Sequence, residues 1–241
     1  MSGSDALDSF LEKWRARWPE WDVAGVFVAE DQRRLAVAWF ALLQEFDAIL
    51  NVEGDPLPAD AKLGWWATEL RDWAGHRSRH PLGRLLEPVA APWDGLADAL
   101  AALPAARARP AGMAEAMAAL AGYARAVAAV DAALFGGRAA DPDALAAQVL
   151  AARLAEAGVA ALPEALAAAA AGSTAAHEQA QRDWARQLLQ AWPVRAGGPA
   201  PRRVWAALAR ERLRQQAAGR LAPGRRPWRT LWQAWRAAAL G

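Results

Sequence analysis

Residues 33–70 read RRLAVAWFALLQEFDAILNVEGDPLPADAKLGWWATEL. The first half places apolar residues at Leu35, Trp39, Leu42/Leu43, Phe46 and Leu50. That i, i+3/i+4 recurrence predicts a helix over 31–51 that buries one stripe. The segment NVEGDPLP breaks it. A second helix is predicted over 59–74, with Asp60 near its start as a capping residue and Gly75 at its end. This helix carries Trp65 and Trp66 side by side. Adjacent helix residues point about 100° apart, so one stripe cannot easily bury both rings. Because large aromatics dominate buried area, Trp65, Trp66 and Trp73 are all expected in the core, at a crowded helix crossing.

The rest of the chain repeats this pattern. Helices are predicted over 5–18, 81–87, 93–103, 112–135, 142–157, 163–171, 174–191, 201–218 and 227–239. They are divided by Pro/Gly-rich segments such as LPAARARP, FGGRAADP and WPVRAGGPAP. Alanine, leucine and arginine, the best helix formers, are abundant. Valine, isoleucine and threonine are too sparse to build strands. The expectation is an all-α chain of 241 residues in a single domain, long enough for a sizeable core. No internal repeat is visible. The absence of cysteine excludes disulfides, a thiolate nucleophile and thiolate metal sites. The polar, acidic start MSGSDALDSFLEKW does not read as a secretory signal. No run of 18 apolar residues suggests a membrane span, so a cytoplasmic protein is expected.

The net charge of +2 conceals an asymmetry. From Arg195 onward there are eleven arginines and one acid, Glu211, a local charge of +10, which leaves −8 on the rest. A basic end on an acidic body suggests an anionic partner, or docking onto the chain's own acidic surface.

The same residues resemble the squalene/phytoene synthase family. Arg33-Arg34, Asp47, Asp55-Pro56, Lys62-Leu63, Trp65-Trp66, Glu69-Leu70 and His80-Pro81 fall in the register of that family's "RRA…CRAVDDVVDE…DP…KLAWWRAEV…HPV" pattern. GYARAVAAVDAALFGG at 122–137 is similar to its "YC-x-x-VAG-x-VGLL" helix, and the C-terminal helices are similar to those of its shorter members. The resemblance covers roughly residues 33–241, leaving 1–30 as an N-terminal extension and 195–241 as basic C-terminal helices. It implies an isoprenoid synthase fold, with helices around a central apolar cavity. It also implies head-to-head joining of two prenyl diphosphates held by Mg²⁺ on two aspartate-rich motifs. By this resemblance Arg34, Phe40, Gln44, Trp66, Glu69 and Tyr123 are expected to line the cavity.

The chemistry of those motifs is weakened here. Magnesium prefers carboxylates and phosphate oxygens, and D-x-x-x-D sets two carboxylates on one helix face. In register, Asp47 remains but Asn51 stands where the second carboxylate belongs, so Asp47 and Asn51 are the degraded metal candidates. Gln44 replaces an expected arginine, which removes a phosphate donor. The second motif should fall near 150–165, where the chain reads LAARLAEAGVAALPEA. Only Glu156 and Glu164 occur there, eight apart. Glu45 or Glu53 could supply a missing carboxylate.

The expected protein therefore has the family's scaffold without its full prenyl transfer activity. It binds a prenyl diphosphate or other isoprenoid, or serves as an accessory protein with a protein partner; Mg²⁺ belongs only to an active enzyme. The alternative is an active Mg²⁺-dependent prenyltransferase. A third reading is docking on the inner face of an anionic membrane through Trp205, Trp228, Trp232, Trp235 and the surrounding arginines. Nucleic acid is disfavoured because no binding motif accompanies the charge. His76 and His80 are spaced for a helix-borne metal, but Gly75 and Pro81 predict a turn. Ser173 and His177 offer a triad no support beyond residue type.

Overall fold

The computed structural model describes residues 3–52, 54–195, 197–220 and 227–239. Among these the protein is all-α. Twelve α-helices and three single-turn 3-10 segments are accompanied by an isolated bridge, Ala140 to Gly197. The helices are α1 (Gly3–Arg17), α2 (Trp21–Ala24), α3 (Glu30–Leu50), α4 (Leu57–Ala74), α5 (Gly83–Leu86), α6 (Trp93–Leu100), α7 (Met113–Phe135), α8 (Pro142–Ala157), α9 (Glu164–Ala169), α10 (Thr174–Ala191), α11 (Ala200–Ala217) and α12 (Pro227–Ala239). Helix α2 was not expected from the sequence; its four residues are too few to show a period. The 81–87 segment shortens to α5, and 93–103 ends at Leu100.

Local chemistry sets the ends. Asp141 caps α8, accepting from Asp143 N–H at 2.9 Å, with Pro142 where a missing N–H costs nothing. Gly158, at φ +52°, ends the same helix in a conformation most side chains resist. Ser173 caps α10 by accepting from Ala176 N–H, which gives this serine a structural role at a helix start. The C-terminus of α3 is closed by side chains. Asn51 donates to Asp47 O at 2.9 Å, Arg107 Nε to Ile49 O at 3.2 Å and Arg153 to Leu50 O at 3.0 Å. Donors and positive charge there complement carbonyls that no following turn can satisfy.

Two aromatic clusters fill the core. Trp14 and Trp18 from the N-terminal segment meet Trp21, Phe40 and Trp205, with Phe40 and Trp205 centroids 4.3 Å apart. The N-terminal segment from Leu7 to Val28 thus contributes to the core: α1 packs on α3 and α2 on α12. The second cluster joins Phe46, Trp66, Trp73, Trp93 and Trp39. Trp66 and Trp73 are buried, but Trp65 is 41% exposed, against expectation. The roughly 100° between neighbours lets only Trp66 face α3, and Trp65 lies edge-on to it at 5.0 Å.

Glu69 is fully buried, and its cation is Arg79. It accepts from Trp73 Nε1 (2.9 Å), from the Arg79 and His80 amides (2.6 and 2.7 Å) and from Arg79 Nε (3.1 Å). Burial pushes this carboxyl up, but those donors outweigh it and hold it below the ordinary glutamate value. The WW helix is thereby pinned to the turn that follows it.

Two segments, Met113–Phe135 and Pro142–Ala161, are long and apolar enough to cross a membrane by length and composition, contrary to the reading of the sequence. About half of each is buried inside the bundle (50% and 56%), and α7 and α8 pack on each other.

Candidate functional site

A cavity of about 90 Å³ opens between α3, α7, α8 and α11, beside the end of α1. One water needs roughly 10–15 Å³ by the same measure. Helix α3 contributes Leu43, Gln44 and Asp47; α7 contributes Tyr123, Ala124 and Val127. Across from Asp47, α8 presents Leu145, Gln148, Val149, Ala151, Ala152 and Ala155. Arg17 and Trp18 close one side, and α11 adds a wall that includes Arg202, Trp205 and Arg212. Alanines on α8 keep the helices from filling the space with side chains.

Asp47 is surrounded by protein yet retains contact surface, because it faces this cavity. Burial raises its carboxyl to about 7, against the pull of Arg17 and Arg202. No described residue donates a hydrogen bond to that carboxyl. Tyr123, beside it, is pushed well above its ordinary value by burial first and by Asp47 second. Gln44 Oε1, Gln148 Oε1 and Trp205 Nε1 are buried on the wall without a protein partner.

The three guanidiniums are already engaged. Arg202 forms two bonds to Asp131, at 2.7 and 3.0 Å, both groups buried. Trp39 Nε1 donates to the same carboxylate at 2.7 Å. Arg212 grips Glu20 at 2.6 and 2.8 Å and lies over the Trp18 ring. Arg17 pairs with Glu156.

Of the eight residues expected at a site, Gln44, Asp47 and Tyr123 line this cavity. The others lie elsewhere. Arg34 is exposed and pairs with Asp8. Phe40 is packed behind the wall, against Trp205. Trp66 and Glu69 belong to the α4 packing described above. Asn51 sits at the end of α3, donating to its own helix and, at 3.4 Å, to Glu156. Glu45 is held by Lys13 and Lys62; Glu53 lies outside the described residues. His80 is packed among Phe10, Trp65 and Trp66, and His76 faces Glu87 at 3.4 Å.

The wall does not fit a Mg²⁺–diphosphate cluster. Asp47 is its single carboxylate, and the facing helix offers one amide and otherwise apolar groups. Glu156, in the region where the resemblance implies a second motif, pairs with Arg17. Among the described residues no group of three or more His, Cys, Asp or Glu is placed to hold a metal.

Sequence reading missed Arg17, Trp18, Gln148, Arg202 and Arg212 as wall residues. The first two lie before the resembling region, and nothing local distinguishes the others from ordinary helix polar positions.

No protein-family model matches the chain, and no curated protein matches it in sequence.

Proposed function

We propose that this chain is an isoprenoid-binding accessory protein with the isoprenoid synthase fold of the squalene/phytoene synthase type, without head-to-head prenyl transfer. The single observation that carries this reading is the apolar cavity at Asp47, faced by a helix wall without carboxylates. The apolar lining suits a hydrocarbon chain, and desolvating such a chain favours binding. The register that locates Asp47, from Arg33-Arg34 to His80-Pro81, supports the family reading on those residues alone. Two prenyl diphosphates would need several Mg²⁺ ligands to ionise, and the wall supplies one.

Incubation with farnesyl or geranylgeranyl diphosphate and Mg²⁺ tests this. No C30 or C40 product is expected. Its formation, lost in Asp47→Ala, would overturn the reading in favour of an active prenyltransferase.

A second reading is favoured by α12. Trp228, Trp232 and Trp235 are 82%, 55% and 51% exposed and follow at i, i+4 and i+7. Arg236 lies over the Trp232 ring. Exposed tryptophan beside arginine suits the headgroup region of an anionic bilayer, so the accessory protein would work at a membrane surface.

A further inference from the structure

The polar part of the cavity wall constrains the head of the ligand. Four charged groups line it: Arg17, Asp47, Arg202 and Arg212. The three cations face Glu156, Asp131 and Glu20 in ion pairs. These pairs balance, and Asp47 is left over. No surplus positive charge therefore awaits a phosphate, and an anion would sit beside a carboxyl group it repels. A diphosphate can only accept hydrogen bonds at its ionised oxygens. The Asp47 carboxyl and the Tyr123 hydroxyl face the cavity without a protein partner; Gln44 Oε1, Gln148 Oε1 and Trp205 Nε1 are unpartnered too but have no surface that a ligand can reach. Tyr123 is only 3% exposed, so its hydroxyl is built into the interior, where leaving it unpaired is costly. A hydroxyl both donates and accepts. It can give its proton to Asp47 while accepting from Tyr123.

We infer that the cavity takes a long-chain isoprenoid alcohol by its hydroxyl, in preference to the corresponding diphosphate. The inference rests on the reading of this cavity as an isoprenoid site and adds the chemistry of the head group. The apolar tail lies along Leu43, Val127, Leu145, Val149 and Leu213.

Trp18 and Trp205 on the wall supply a fluorescence signal. The full chain is titrated with farnesol below its aggregation threshold, with farnesyl diphosphate with and without Mg²⁺, and with the hydrocarbon farnesane. Farnesol is expected to saturate one site and to bind about tenfold more tightly than either competitor, the weight of one good hydrogen bond. Asp47→Leu is expected to abolish the preference over farnesane. Asp47→Asn, which can still accept, is expected to keep it; thermal melting checks that both variants fold. Tighter binding of the diphosphate, or equal binding of farnesol and farnesane, overturns the alcohol assignment and leaves the isoprenoid cavity standing. If none of the three binds, both readings fall.

Discussion

Asn51 donates a hydrogen bond to Glu156 at 3.4 Å, joining the end of α3 to the end of α8. These are the two places where the resemblance to the squalene/phytoene synthase family would put its magnesium-binding motifs. Here an amide meets a carboxylate, and Arg17 pairs with the same glutamate. The positive charge near these acids is part of the chain.

Asp47 makes stability fall with pH. Its folded value of about 7 stands above the ordinary 3.8. The unfolded chain therefore releases this proton earlier, and the contribution is complete below pH ~4 and lost as pH rises to about 7. Asp47→Asn is expected to be nearly neutral at pH 4 and stabilising at pH 8. The gain is on the order of 4 kcal/mol, about three units at ~1.4 kcal/mol each. Urea unfolding at both pH values checks it. Equal effects at the two would contradict it.

His80 acts in the opposite sense. Burial lowers it to about 4, against the pull of Glu69 and Glu45. Its contribution is present above pH ~6.5 and is lost as pH falls through about 4. Imidazole carbon shifts followed by NMR should show a neutral ring at pH 5.5. A ring already protonated there would contradict this.

The Asp131–Arg202 pair offers a separate test of packing. Arg202→Met leaves Asp131 charged in the interior with Trp39 as its remaining partner. A loss of about 3–5 kcal/mol is expected. Asp131→Leu combined with Arg202→Met should recover most of it in chemical denaturation. A double variant as unstable as the single one would show that the cost lies in shape rather than in charge.

Docking through α12 predicts co-sedimentation with phosphatidylserine-containing vesicles that weakens with salt. Replacing Trp228, Trp232 and Trp235 together by alanine should abolish it. Unchanged stability is expected, because those rings are largely exposed. Absence of binding by the wild-type chain at low salt would reject the reading.

Much of the fold could be read from periodicity. The boundaries of α8, α10 and α12 match the predicted 142–157, 174–191 and 227–239, because proline, glycine or a capping serine marks their ends. Trp65 was misplaced because residue type alone cannot say which of two neighbours meets the partner helix. The fate of Glu69 was likewise invisible: its main donors are the amides of Arg79 and His80, ten and eleven residues on. The cavity was legible only in part. Gln44, Asp47 and Tyr123 lie on a resembling stretch, whereas Arg17 and Arg212 reach it from opposite ends of the chain.

The space beside Asp47 is proposed to hold one isoprenoid chain. The most direct measurement is the stoichiometry and affinity of farnesol binding to the wild-type chain and to Ala151→Phe, which would fill the space from α8. Ala124→Leu serves as a second filling from α7. One saturable site per chain is expected, lost in both filled variants while they remain folded. Binding that survives both fillings unchanged, or no saturable binding to the wild-type chain, would contradict it.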